Sequence, residues 1–326
     1  MQSITISKKR FDGLKRLELP ESVVSTEAVI YRFNYLIKPK VFKSLHKTKG
    51  PVFANKLFTL EMLNEYKDIL PSSFVVPEAL VAVEKEVKGF ELPYIRGHVF
   101  ESYLADRSVP VKDKIHYLKQ IGEMLNQLSG IRKDSELDSI YINDLHASNF
   151  IVDEKEKQLK VVDLDSCRIC DAKPFPARYL SAFSLLNHAP GDKYDIYNKK
   201  LITPDGIPIM TIMTQEEAEQ EDTKYRNYRY ELGYVNANEQ SDLYCYVILF
   251  LNFLFGSNLG NCMLEEFYNY MYYLEKLDFD RDLLNAIHLI VSGAPNENIG
   301  PYLDSVTEEQ VARAHQKVYK ATRNKI

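Results

Sequence analysis

Over the first hundred positions, apolar residues fall in short runs broken by turn-forming and charged residues. Further on they recur at three- and four-residue intervals. The runs at 28–33, 40–45, 74–76, 80–83 and 90–95 are rich in β-branched and aromatic residues and read as strands. Between the second and third of these, Phe53, Leu57, Leu60 and Leu63 form a helical stripe, which predicts a helix over 52–70 closed by Pro71. A five-stranded sheet with one helix is therefore expected over residues 1–97.

From residue 98 the pattern is mainly helical. Ile115, Leu118, Ile121, Leu125 and Leu128 make one stripe of a long amphipathic helix. Two short strands, 150–152 and 159–162, flank the turn-prone stretch from Asp153 to Lys157. Residues 166–240 show little periodicity and are rich in Pro, Asp, Asn and Tyr, with a short helix expected at 215–220. Helices follow at 242–255, 262–277, 280–292 and 308–322. The class expected is α+β, with a β-rich part at 1–97 and a helical part at 98–326.

Composition narrows the function classes. The chain has 326 residues, 45% hydrophobic and 27% charged, with a formal net charge of −5. No global positive field is present to gather nucleic acid or anionic lipid, so neither is expected as a partner. The basic residues Lys8, Lys9, Arg10, Lys15 and Arg16 read as solvated surface. The most apolar run, 243–255, is short for a bilayer and reads as a buried helix. The opening residues lack the apolar core of a secretory signal. Four cysteines do not make a disulfide framework in a chain of this length, so a cytoplasmic location is expected. Cys167 and Cys170 are spaced like a metal or redox pair, but the context that either chemistry needs is missing, and two ordinary thiols are expected.

Candidate chemistry concentrates in Asn143-Asp144-Leu145-His146-Ala147-Ser148-Asn149-Phe150, followed by Val162-Asp163-Leu164-Asp165. An Asp and an Asn five apart, a short hairpin, and an Asp ending the return strand supply hard oxygen ligands. Magnesium takes a few such ligands and completes its sphere with water and phosphate. Phosphoryl transfer requires positioned charge more than covalent catalysis.

With these residues the chain resembles the protein-kinase superfamily, along most of its length. Asp144 and Asn149 fit the catalytic loop's Asp-x-x-x-x-Asn, and Asp163 fits the Asp of Asp-Phe-Gly. Val41-Phe42-Lys43 looks like the strand bearing the phosphate-binding lysine. The run from Gly89 to Gly97 resembles the last strand and hinge, and Gln240 to Val247 the start of the central C-lobe helix. The resemblance implies a two-lobed kinase-like fold, with a catalytic loop at 142–149, a metal motif at 163–165 and an activation-segment-like insertion at 166–240. It implies that Asp144 orients the acceptor, that Asn149 and Asp163 hold Mg²⁺, and that Lys43 binds the phosphates of ATP. Glu61, with Glu65 as the alternative, would pair with Lys43. The backbone of Pro93 and Ile95 would meet adenine, among Val41, Leu92 and Ile151, and Asp242 would hold the catalytic-loop backbone. The implied activity is ATP- and Mg-dependent transfer of the γ-phosphate to a hydroxyl, as in serine/threonine kinases.

Departures from the family pattern keep two alternatives open. Residues 19–27 contain no glycine where kinases carry the glycine-rich loop; Ser22, Ser25 and Thr26 would substitute with hydroxyls. This favours a nucleotide-binding pseudokinase acting as an interaction module. Asn143 stands where an arginine grips a phosphorylated activation loop, and Asp165 replaces the glycine of Asp-Phe-Gly. Asp144-Leu145-His146 looks more like small-molecule phosphotransferases of the same superfamily, which makes a small molecule the alternative acceptor.

Overall fold

Strand β3 (Lys40–Leu45) shows how the sheet is organised, because both of its faces are buried. Phe42, at 0% exposure, joins Ile6, Phe33 and Val81 in an apolar cluster that also packs Ile4, Phe11, Leu14, Tyr31 and Val83. Lys43, its neighbour, points to the opposite face, as the two-residue period of a strand requires. The computed structural model describes residues 1–18, 28–33, 39–170, 239–256, 264–292 and 298–323. The readings made above for 19–27, for 215–220, for Cys262 and for most of 166–240 lie outside the described residues.

The protein is mixed α/β, with a five-stranded mixed sheet and several helices. In chain order come β1 (Gln2–Ile6), a one-turn helix α1 (Lys8–Asp12), β2 (Ala28–Phe33), β3, α2 (Pro51–Glu65), β4 (Ala79–Val83) and β5 (Glu86–Pro93). Then follow β6 (Gly97–Val99), α3 (Phe100–Ala105), α4 (Val111–Asp134), β7 (Ile140–Tyr141), and the hairpin β8 (Phe150–Asp153) and β9 (Gln158–Val161). A two-residue strand β10 (Arg168–Ile169) and helices α5 (Glu239–Phe255), α6 (Leu264–Lys276), α7 (Arg281–Ser292) and α8 (Glu308–Arg323) follow. The chain divides into two compact units. The first comprises Met1–Tyr103, Gly130–Ile140 and the described residues of 147–175; the second comprises Leu104–Ser129, Tyr141–His146 and the described residues of 176–326.

In the first unit the sheet order is β1-β4-β5-β3-β2, antiparallel except for the parallel pair β1 and β4. The fifth strand is therefore β1. The run at 74–76 contributes only an isolated bridge, Phe74 to Val161. Strand β1 carries little pattern signal, since only Ile4 and Ile6 in it are apolar, yet both face the apolar cluster. Gly89 on β5 lies so close to β3 that a Cβ would stand 1.9 Å from the Lys43 carbonyl oxygen. Gly97 is placed likewise, 1.8 Å from the carbonyl oxygen of Val152, where β6 pairs with β8.

Helix α2 ends earlier than its apolar pattern suggests: Tyr66 N–H makes the last helical bond, to the Met62 carbonyl, and Ile69 and Leu70 N–H then turn back onto the Tyr66 carbonyl. Its buried face is also rotated from the stripe read in the sequence. Lys56, Thr59, Leu60 and Leu63 are buried, at i, i+3, i+4 and i+7, while Phe53 and Leu57 are half-buried.

In the second unit α5 is the central core helix, buried over nearly its whole length. Tyr246 donates to the Leu118 carbonyl at 2.7 Å, and burial holds its phenol well above the usual tyrosine range. Asn298 donates to the Gly122 carbonyl at 3.1 Å and accepts from Gly300 N–H at 2.8 Å. Among the described residues no helix is long and apolar enough to cross a membrane.

Candidate functional site

The first unit holds a buried cluster of two lysines and two aspartates. Lys43, in the middle of β3, donates to Asp163 and, at 3.3 Å, to Asp165 Oδ1. Its ammonium also lies 5.6 Å from the ring centroid of Phe90, its cross-strand partner on β5. Lys56 on α2 donates to the other oxygen of Asp165, Oδ2, at 3.0 Å. Asp165 is 1% exposed and the two lysines 5% each. Ions this deep persist only when paired and hydrogen-bonded.

The charges shape one another. Burial works to lower Lys43, but Asp163 and Asp165 overcome it and hold the ammonium above the ordinary lysine range. Burial likewise works to raise Asp165, and Lys43 and Lys56 reverse it, keeping this carboxylate far below its usual range. Asp163 is raised by burial, against Lys43 and with the help of the Asp165 charge. Its side chain keeps 37% exposure, so solvent tempers that rise.

The local chain explains why these groups converge. Asp163 takes a left-handed conformation, φ 63°, which Asp and Asn tolerate better than other non-glycine residues. This reverses the chain out of β9 into a single 3₁₀ turn, Leu164–Ser166, whose Asp165 points inward. Thr59 of α2 donates to the Cys167 carbonyl at 3.5 Å, a second tie to the same turn. Cys167 and Cys170 are not disulfide-bonded.

Asn149 is carried to the same end of the hairpin. Phe150 pairs with Val161, and Val162 N–H donates to the Asn149 carbonyl at 2.9 Å, so Asn149 and Asp163 flank one closing hydrogen bond. Ser148 donates to Glu101 at 2.6 Å and anchors the preceding residue. Among the described residues no group of three His, Cys, Asp or Glu side chains is arranged to hold a metal ion. Two oxygen donors, a buried amide and a partly accessible carboxylate, fit the sparse protein ligation that magnesium accepts when phosphates and water supply the rest.

The expected Lys43–Glu61 pair is not formed. Glu61 and Glu65 both lie on the exposed side of α2, and Lys43 is paired with Asp163 and Asp165 instead. The inward position on the helix belongs to Lys56. The polarity is reversed: the helix supplies a cation and the turn after β9 supplies the carboxylate. A glutamate facing Asp165 would place two like charges in a desolvated site, so the acid at 165 and the lysine at 56 go together.

The remaining expected contact residues fall on the same unit. Val41 and Leu92 are direct cross-strand partners on the Lys43 face of the sheet, and both are buried. Pro93 ends β5, Tyr94 N–H bonds to the Pro39 carbonyl, and Ile95 is half-buried beyond it. Ile151 is half-buried on β8, between Val99 and Lys160.

The second unit holds the loop that carries Asp144. Asp242 on α5 accepts from Ile142 N–H at 2.9 Å and from Asn143 N–H at 3.1 Å, one bond to each carboxylate oxygen. Asn143 is left-handed, φ 64°, and the chain turns there into Asp144. Asp144 is 8% exposed, and His146 Nε2 lies 3.7 Å from its Oδ2.

Pattern reading missed Lys56 and assigned no partner to Asp165. The signal was present in part, since Lys56 completes the helical series 56, 59, 60 and 63. A lysine on a buried stripe requires a carboxylate opposite it. Comparison of the sequence with protein-family models and with curated proteins returns no match.

Proposed function

We propose that the protein is an ATP- and Mg²⁺-dependent phosphotransferase of the two-lobed protein-kinase type, acting on a hydroxyl. The observation that carries this reading is the Lys43–Asp163 ion pair, made across 120 residues between a mid-strand lysine and the aspartate that follows a hairpin. Asn149 stands at the same open end of that hairpin, beside the closing Val162–Asn149 hydrogen bond, and the order Asp144, Asn149, Asp163 supports the assignment.

Each residue has a chemical role in this reading. Lys43 presents a permanently charged ammonium to the phosphates. Asn149 and Asp163 would hold Mg²⁺, which neutralises phosphate charge when bound. Asp144 orients the acceptor hydroxyl and takes its proton as the acceptor oxygen bonds to the γ-phosphorus and the bond to the ADP oxygen breaks. Val41 and Leu92 offer an apolar surface to the base. His146 beside Asp144 favours, as a second reading, a small-molecule hydroxyl over a protein side chain.

Ligand-induced stabilisation tests the nucleotide site. Mg-ATP at a hundredfold above its dissociation constant is expected to stabilise the wild type by about 2.7 kcal/mol, read as a raised melting temperature. Asp163→Asn, which keeps the left-handed turn, is expected to lose most of that shift. A shift that is unchanged in the variant removes Asp163 from the metal site.

A further inference from the structure

We infer that Lys56 is a positioning residue of the nucleotide site: acting through Asp165, it fixes Lys43 and Asp163 and sets the charge that the phosphates meet. This deepens the phosphotransferase reading and rests on it. Asp165 is a bridge, one oxygen on Lys43 and the other on Lys56, so its rotation is set from both sides. Asp163 lies two residues earlier, on the same strained turn, and that turn is tied to α2 again through Thr59 and the Cys167 carbonyl. The helix is therefore tied to the turn twice, by the buried Lys56–Asp165 ion pair and by the Thr59 hydrogen bond.

The charge count gives Lys56 a second effect. Among the described residues, the four ion-paired groups Lys43, Lys56, Asp163 and Asp165 sum to a formal charge of zero. Without Lys56 the cluster carries an excess negative charge, and a polyphosphate is repelled by it. Removing Asp165 together with Lys56 restores neutrality.

The test is a double-mutant cycle on the full chain with Lys56→Met, Asp165→Asn and the double variant. Mg-ATP affinity and the melting temperature without nucleotide are both measured. Lys56→Met is expected to weaken Mg-ATP binding by roughly 10–100-fold, the usual cost of losing a group that orients a ligating residue. In the Asp165→Asn background Lys56→Met is expected to weaken binding little further, and the two melting-temperature changes to be strongly non-additive. A loss from Lys56→Met as large in the Asp165→Asn background as in the wild type would make Lys56 a direct phosphate contact and overturn the positioning role. Unchanged affinity with a lowered melting temperature would make Lys56 merely structural and overturn it too. If Lys56→Met does not fold, Lys56→Arg and the double variant carry the comparison: Lys56→Arg is expected to bind within a few-fold of wild type and the double variant within a few-fold of Asp165→Asn, and a loss in Lys56→Arg as large as a charge deletion overturns the proposal. A wild type that binds no Mg-ATP sinks the phosphotransferase reading in its own arm, and the positioning role in that site falls with it. The melting cycle then still reports whether the Lys56–Asp165 lock exists.

Discussion

Two turns carry the residues assigned to chemistry, and they are held in different ways. Both begin with a left-handed polar residue, Asn143 at φ 64° and Asp163 at φ 63°. The Asn143 turn is held from outside by one carboxylate, Asp242, which accepts two backbone N–H groups. The Asp163 turn is held through its own side chain, with Asp165 pointing into two lysines. A backbone clamp fixes the path of the chain whatever side chains the loop carries. An ionic clamp fixes particular side chains and their charge as well, and so links the turn's position to its electrostatics.

The largest effect is expected where the ionic clamp is broken. Asp165→Ala removes the buried carboxylate that Lys43 and Lys56 share and is expected to destabilise the first unit by about 3–5 kcal/mol, measured by denaturant unfolding. The milder Asp165→Asn sharpens the point through pH. Because the folded-state value of Asp165 is depressed, its stabilisation is full at neutral pH and is lost as pH falls. The gap between wild type and Asp165→Asn is therefore expected to narrow below the ordinary aspartate value of about 3.9. A gap that stays constant down to strong acid would show that the carboxylate charge is not what holds the turn.

Breaking the backbone clamp should cost less. Asp242→Ala removes two charge-assisted hydrogen bonds at a buried site and is expected to cost about 3 kcal/mol in unfolding free energy. Asp242→Asn keeps one acceptor and is expected to lose roughly half of that. Equal losses in both variants would mean that packing, rather than acceptance of the two N–H groups, is what Asp242 supplies. The smallest effect belongs to Glu61→Gln on the exposed side of α2, expected within about 0.5 kcal/mol of wild type and without effect on nucleotide affinity. A large loss there would restore Glu61 as the partner of Lys43.

The two turns also differed in how far they could be read from the sequence. Asp242 was legible because it opens a long apolar helix and stands in a recognisable order with Asp144 and Asn149. The hairpin between Asn149 and Asp163 was legible because its two strands are short, apolar and separated by a charged turn. The ionic clamp was not, because α2 presents two stripes of similar apolarity. The one through Phe53 and Leu57 is the more hydrophobic, yet the half-polar stripe through Lys56 and Thr59 is the buried one. Helical periodicity ranks faces by hydrophobicity, and here a distant carboxylate, Asp165, decides which face turns inward. Strand β1 escaped for a related reason: two isoleucines in a polar pentapeptide carry little periodic signal, and its parallel pairing with β4 depends on residues more than seventy positions away.

Turnover of γ-labelled ATP by wild type and Asp144→Asn, expressed per folded molecule and alongside Mg-ATP affinity, tests the central claim most directly. The wild type is expected to transfer phosphate and the variant to lose about a hundredfold to ten-thousandfold in turnover, with affinity and melting temperature nearly unchanged. Equal specific activity in the two proteins, or nucleotide binding by the wild type with no transfer to any hydroxyl, would contradict it.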